Sequence, residues 1–261
     1  ALGMLEHFDL RSHAVDGPDS VHLQIEAIKL AFADAWRYVA DLDHMDVRPH
    51  ALLECEYLKS RARLIDPRRA QEFGHGTPPK GGTVYLTAAD ASGMMVSFIQ
   101  SNYMGFGSGV VVDGISLQNR GATFVMQPGH PNAMGPKKRP YQTIIPGFVT
   151  RDGKPVMSFG VMGGTMQPQG HTQVMVRIAD YEQSPQAACD GPRFRFVQGM
   201  DVSVEDDGFP AATLEELERR GHRIVTIDDY NQFGSAQLIW RLDGGYFVAS
   251  DPRRDGQAVG F

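Results

Sequence analysis

A threonine preceded by two glycines, Gly81-Gly82-Thr83, closes a polar Gly/Pro-rich stretch (PRRAQEFGHGTPPKGG) and opens an apolar run (TVYLTAAD). If the Gly82–Thr83 bond is cut, Thr83 gains a free α-amine, whose ordinary pKa of about 7.7–8.0 leaves a useful fraction uncharged near neutrality. That amine can act as general base for the threonine's own hydroxyl, making Thr83 a candidate nucleophile toward an amide carbonyl. A second glycine pair, Gly163-Gly164 in SFGVMGGTMQPQGH, lies between an apolar run and a helix-like segment. With no side chain in the way, it can aim backbone N–H groups at a developing oxyanion, and losing one such donor costs roughly 2.7–4 kcal/mol in a transition state. The same residues also read more plainly, as a strand start and a turn.

Other chemistries lack their signatures. GFGSG at 105–109 departs from the dinucleotide fingerprint, because its third glycine comes one residue early, and no Walker A, GxSxG or HExxH pattern occurs. The nine histidines are scattered, with only His130 and His171 near glycine-rich segments. Glu205-Asp206-Asp207 lacks metal-ligand spacing and reads as a solvated loop. Cys55 and Cys189, the only two cysteines, form neither a disulfide framework nor a zinc pattern and read as two buried thiols. No metal or cofactor is expected.

The elements that must position these residues fall into three zones. Residues 1–66 read as helical. Asp19 and Ser20 offer N-cap chemistry ahead of a periodic apolar stretch running to Trp36, and residues 51–64 read as a second amphipathic helix ending near Asp66-Pro67. Residues 67–82 read as a linker. Residues 83–165 are β-type, with turn signals at Ala91-Ser92-Gly93 and Asp152-Gly153. Helices are expected at about 168–181, 185–190 and 211–220, and strands at HRIVTID, SAQLIWRL and GYFVASD. The composition, 42% hydrophobic and 21% charged with net charge -6, is that of a globular protein and argues against nucleic acid as partner. The longest apolar runs fall short of a membrane-spanning helix. The 29 glycines and 16 prolines point to many tight turns and close backbone approaches. The first residues, ALGMLEHFDLRS, look neither like an initiator region nor like a signal peptide, and they start inside a helical pattern. The expectation is a chain whose N-terminal portion lies elsewhere.

From FDLRS and IEAIKLAFADAWRY through KGGTVYL, GFGSGVVV, LQNRGATF, PGHPN, KKRPYQTIIPGFVTRDGKPVMSFGVMGGTMQPQGH and CDGPRFR, the chain resembles the γ-glutamyltransferase superfamily. The resemblance implies an α+β, four-layer αββα Ntn-hydrolase sandwich, incomplete here because the N-terminal half is absent. It also implies a precursor that cuts itself before a threonine. Residues 1–82 would then be the C-terminal part of the large subunit, and 83–261 the small subunit with Thr83 as nucleophile. Gly163 and Gly164 match the family's oxyanion pair. Ser101 stands where glutamyl-transferring members carry a Thr that hydrogen-bonds the nucleophile's amine. Tyr103 replaces an Asn that contacts the substrate α-carboxylate. In Arg120-Gly121-Ala122-Thr123-Phe124, Thr123 replaces an Asp that holds the glutamyl ammonium, and Gln142-Thr143 replaces a Ser pair.

An uncharged Thr123 offers no anion for an ammonium, whereas Arg120 adds a cation suited to a carboxylate. Arg120 could equally pair with an internal acid, and Tyr103 could simply pack. The RGATF variant resembles the acylase-like branch, which includes cephalosporin-acylase-like proteins and oxamate amidohydrolase. The expectation is hydrolysis of a small anionic amide such as oxamate, with weak γ-glutamyl transfer. Alternatives are a γ-glutamyltransferase/glutathione hydrolase, a β-lactam side-chain acylase with Tyr103 stacking on an aryl group, and an unprocessed non-catalytic subunit. The expected partners are the small-molecule amide and the missing N-terminal half. A homo-oligomer is left open, and no nucleic acid or membrane is expected. The expected location is cytoplasmic, with the periplasm left open.

Overall fold

The computed structural model describes residues 1–73, 82–143 and 145–261, with the backbone alone at Gly82 and Thr83. Residues 74–81 of the expected 67–82 linker, including Gly81, lie outside the described residues. In chain order the elements are α1 Leu2–Leu5, α2 Pro18–Tyr38, α3 Cys55–Ala62, β1 Gly82–Ala89, β2 Met95–Tyr103, β3 Val111–Val112, β4 Ile115–Ser116, β5 Gly147–Arg151 and β6 Lys154–Met162. Then follow α4 Met166–Ala179, α5 Pro185–Asp190, β7 Phe194–Gln198, β8 Asp201–Glu205, α6 Ala211–Arg219, β9 Arg223–Ile227, β10 Ser235–Leu242 and β11 Gly245–Ser250. They sort into two compact units. Unit 1 takes residues within 1–78, 120–142 and 194–227, and unit 2 those within 79–119, 143–193 and 228–261.

Unit 1 is built on α2. The helix starts two residues earlier than an Asp19 cap, and three earlier than a Ser20 cap, predicts. Gly17 is the N-cap and Pro18 the first helical residue, where its fixed φ suits the helix and its missing N–H costs no bond. Asp19 instead sits in the first turn, favourably placed against the helix dipole. One face of α2, carrying Val21, Ile25, Ile28 and Phe32, packs on Phe194, Phe196, Val202, Val204 and Leu217. Those residues belong to the sheet β7-β8-β9 and to α6, which joins β8 to its parallel neighbour β9. The predicted 51–64 helix is broken. A short 3-10 turn, Pro49–Leu53, precedes α3, and Glu54 between them is extended. Cys55 consequently opens α3 in an exposed position, while Cys189 is buried as expected. Glu205 is also corrected: it ends the covered strand β8 and is buried, and only Asp206 and Asp207 face solvent.

In unit 2 the two expected hairpins form. β1 pairs antiparallel with β2, and β5 with β6, the latter through Asp152 and Gly153, both at positive φ as a tight hairpin turn requires. The four-stranded sheet runs β11-β10-β6-β5. Its central strand β6 is covered on both faces. Met157, Phe159 and Val161 meet Val174 and Ile178 of α4 and Ala188 and Cys189 of α5. On the other face Ser158 and Gly160 meet β1: the Ser158 and Thr87 hydroxyls hydrogen-bond, and a Cβ at Gly160 would stand 2.7 Å from the Tyr85 ring. Unit 2 is therefore layered helix, sheet, sheet. Among the described residues no helix is long and apolar enough to cross a membrane.

Candidate functional site

The β1–β2 register slips at its first pairs. Gly82 is opposite Tyr103 and Val84 opposite Gln100, so Ser101 and Asn102 together face the single position 83. Such bulges re-aim a strand locally and recur beside active sites. Ser101 thus lies across the ladder from Thr83, whose side chain is outside the described residues. The Ser101 hydroxyl accepts a hydrogen bond from the Tyr103 backbone N–H at 2.8 Å. Tyr103 is buried and holds φ 78, a left-handed conformation rare for a bulky residue and costing about 1–3 kcal/mol.

The face-to-face packing of β1 on β6 sets the second half of the site. Tyr85 lies over Gly160 and Thr87 over Ser158. Continued by two residues, this antiparallel stacking brings position 83 opposite Met162, one residue before the glycine pair. Gly163 (φ 128) and Gly164 (φ 63) form the turn from β6 into α4. Their carbonyls are taken up by the first turn of α4, accepting from the N–H groups of Met166 and Gln167, each at 3.1 Å. The positive end of the α4 dipole is therefore at the pair. A Cβ on Gly163 would stand 3.1 Å from the Gly234 Cα and 3.2 Å from the Met166 Cβ, so only glycine fits without movement.

Thr143, also in unit 2, is buried. The other three candidates belong to unit 1. Arg120 opens a 3-10 turn, Arg120–Thr123, and is 8% exposed. The Thr123 hydroxyl lies 2.8 Å from the Arg120 carbonyl and 2.6 Å from that of Tyr141. Asn132 completes this tie, donating to the Thr123 carbonyl at 2.7 Å and accepting from the Tyr141 N–H at 2.8 Å. Thr123 therefore spends its hydroxyl on the backbone. Gln142, next in the chain, is half-buried.

Of the two histidines near glycine-rich segments, His130 accepts from the Asn132 N–H at 3.0 Å through Nδ1. His171, on α4, packs against the Phe159 ring at 4.6 Å. Burial, with the Arg193 charge adding to it, pushes its pKa down to about 4, so its ring is neutral.

Two buried clusters escaped the reading of the sequence. In unit 2, Arg193 Nη2 meets Asp251 Oδ2 at 2.6 Å and Nη1 donates to the Phe233 carbonyl at 3.1 Å, fixing the turn whose Gly234 backs Gly163. In unit 1, His22, Glu26 and His222 hold their ligand atoms within 4.8 Å of one another, as a metal site would. The cation seat, however, is taken by Lys29, whose Nζ donates to Glu26 Oε1 at 2.7 Å and to the Gln71 carbonyl at 3.1 Å. The signal of the second cluster, His22, Glu26 and Lys29 inside an apolar-faced helix and a distant Gly221-His222, has no local spacing to flag it.

A family model described as Gamma-glutamyltranspeptidase matches residues 1–261. The oxamate amidohydrolase proenzyme of Klebsiella pneumoniae is 36% identical over 97% of this chain and 49% of its own length. The glutathione hydrolase-like YwrD proenzyme of Bacillus subtilis is 33% identical over 99% of this chain and 50% of its own length. Among solved structures, a cephalosporin acylase from Bacillus halodurans superposes with a TM-score of 0.91 and 47% identity, covering 98% of this chain and 47% of that one. The chain spans about half the length of the curated relatives it matches.

Proposed function

Because the chain belongs to the gamma-glutamyltranspeptidase family, we propose that it carries the nucleophile of a self-processing amidohydrolase. The observation that carries this reading is the stacking of β1 on β6, which brings position 83 level with the strand end that turns at Gly163-Gly164. In the proposed reaction, the precursor cuts before Thr83, leaving residues 1–82 and 83–261 as parts of a large and a small subunit. Thr83 Oγ then attacks the amide carbonyl, the new α-amine takes and returns the proton, and the N–H groups of Gly163 and Gly164 hold the oxyanion. Water releases the acyl group from the threonine ester. Ser101, opposite position 83 in the ladder, is the proposed partner of the amine.

The proposed substrate is a small anionic amide of the oxamate type. From the resemblance, Arg120 is the proposed cation for its carboxylate, and Tyr103, Gln142 and Thr143 are carried over as the other proposed substrate contacts. Thr123 positions the Arg120 turn and brings no charge for an ammonium. A β-lactam side-chain acylase is the second reading, favoured by the 47% identity to the cephalosporin acylase.

The proposed partner is the remainder of a longer precursor. An antiparallel sheet with one solvated face alternates apolar-in and polar-out. The β1–β2 hairpin does not: opposite the β6-facing side, Val84 (67%), Leu86 (48%), Val96 (44%) and Phe98 (48%) are exposed. A further layer over that face would bury them.

The test uses the full-length protein. Denaturing gels and intact mass should show two pieces split at Gly82–Thr83, and a Thr83→Ala variant should remain whole and inactive. Oxamate should be hydrolysed in preference to γ-glutamyl-p-nitroanilide. Self-cleavage or hydrolysis retained by Thr83→Ala would remove Thr83 as nucleophile. Robust glutamyl turnover without oxamate hydrolysis would overturn the substrate assignment.

A further inference from the structure

Unit 1 is assembled from both sides of the proposed cut: its long helix and residues 65–73 precede Gly82, whereas β7, β8, α6 and β9 follow it. The two sides are joined by an apolar face and by a buried polar network. His22 Nε2 is 2.9 Å from the Asp66 carbonyl, which can only accept, so Nε2 carries the hydrogen. In neutral His22 the bare Nδ1 then accepts from His222 Nε2, 2.7 Å away. That leaves His222 Nδ1 bare, and Lys29 Nζ, at 3.4 Å, is its donor. Glu26 closes the network, receiving Lys29 at 2.7 Å and the Gln71 N–H at 3.1 Å. Next to it Arg220 donates to the Pro67 carbonyl at 3.0 Å and to Asp19, while its own carbonyl accepts from the Ala70 N–H at 2.7 Å. Thr213 Oγ1 donates to the Asp16 carbonyl at 2.8 Å. Each of these bonds from His222, Arg220 and Thr213 crosses from residues after the cut to residues before it.

We propose that His22 and His222, with Lys29 and Arg220, form an acid-labile polar staple that keeps residues 1–82 bound to residues 83–261 after the Gly82–Thr83 bond is cut. The inference rests on the self-cleavage reading for the cut, but on unit 1 alone for the staple. The geometry makes the staple a one-way device. A proton on His22 Nδ1 would face the His222 N–H, donor against donor at 2.7 Å. It would also place a new charge beside two existing cations. The charged and titratable groups around the pair are Glu26 and Lys29 on α2, Asp66 and Glu72 on the 65–73 segment, and Arg220, itself held by Asp19 and Glu216.

Burial first, then the neighbouring cations, pushes His22 down to about 4 and His222 to about 2, from 6.5. The sign follows from which state takes the proton. Separated pieces expose both imidazoles, which protonate as pH falls below about 6.5, while the joined state stays neutral. The joint is at full strength above that pH and weakens about tenfold per pH unit for each histidine as pH falls toward 4.

The experiment makes the cut independently of Thr83. A site-specific protease sequence is placed within residues 74–81 of the full chain carrying Thr83→Ala, and the protein is cut and followed by native mass spectrometry and size exclusion from pH 7.5 to 4. The pieces should stay together at pH 7.5 and lose at least a hundredfold in affinity by pH 4. A His22→Gln/His222→Gln variant, which keeps donors and acceptors without titrating, should lose that pH dependence. Should the variant fail to fold, ring chemical shifts of the two histidines in the cut wild-type protein give the same answer, staying neutral to below pH 5. Separation at pH 7.5, an unchanged pH profile in the double variant, or histidines titrating near 6.5 would overturn the staple. A Thr83 protein that stays whole would overturn only the self-cleavage reading, since the staple is read on the protease-cut sample.

Discussion

Replacing Asp251 with alanine tests the packing that backs the glycine turn. Arg193 and Asp251 are each 1% exposed and meet at 2.6 Å. Arg193 also donates to the Phe233 carbonyl at 3.1 Å, and Asp251 accepts from the Ala236 N–H at 2.8 Å. Removing the carboxylate leaves a buried guanidinium without its anion and a buried N–H without its acceptor. Breaking a buried pair from one side costs about 3–5 kcal/mol, and the orphaned N–H pushes toward the upper part of that range. Urea unfolding can be followed in unit 2 alone, because Trp240 lies in β10 and Trp36, in α2, can be changed to phenylalanine as the background. An Arg193→Met/Asp251→Leu protein should recover part of the loss, since the Arg193 charge is then removed, while Arg253, 3.1 Å from Asp251, still loses its anion. The pH dependence has a definite sign. Burial alone would raise the Asp251 carboxyl, but Arg193, Arg253 and the Ala236 N–H outweigh it and hold it below the usual carboxylate value. A depressed carboxylate stabilises above its unfolded value near 3.8 and loses that contribution as pH falls through the folded value. The gap between wild type and Asp251→Ala should therefore close below about pH 3.8. A cost under about 1 kcal/mol, or a gap unchanged at low pH, would refute the argument.

Two further outcomes bear on the site. Thr123→Val should cost about 1–2 kcal/mol in urea unfolding through its lost ties to the Arg120 and Tyr141 carbonyls, with KM for oxamate nearly unchanged. A tenfold rise in KM would mean that the hydroxyl meets the substrate. Gly163→Ala, forced into φ 128 with its Cβ 3.1 Å from the Gly234 Cα, should lower kcat by about 10²–10³ with little change in KM. Wild-type kcat would take the oxyanion role from this turn.

What could be read from the sequence was what local pattern encodes. The period-two runs around Asp152-Gly153 and Ala91-Ser92-Gly93 became hairpins, and the glycine pair fell at a strand-to-helix turn. What failed depended on partners far along the chain. β7 and β8 went unnoticed: Phe194, Arg195 and Phe196 are buried in succession, as are Val202 through Val204, so burial does not alternate as it would in a half-solvated strand. Glu26 and Lys29 of α2 are buried because they bond each other and Gln71, and Lys29 also meets His222, 193 positions further along the chain. Cys55 read as a buried thiol from its residue type alone, yet it opens α3 in an exposed position.

The abundance of glycine acquires a mechanical meaning in β6. The strand alternates bulky side chains toward α4 with Ser158 and Gly160 toward β1, so the hairpin can close down until Tyr85 rests on the Gly160 backbone. That contact fixes the spacing of the two sheets and, with Thr87 on Ser158, the phase of their stacking. The phase is what brings position 83 level with Met162. A side chain at 160 would have to push the Tyr85 ring aside, and the rigid ring would carry β1 with it. Because Gly82 and Thr83 continue the same strand, the displacement would reach the proposed nucleophile before it reached the glycine turn, which α4 and Gly234 hold from the other side. Gly160 would therefore set the distance between the proposed attacking group and the proposed oxyanion donors.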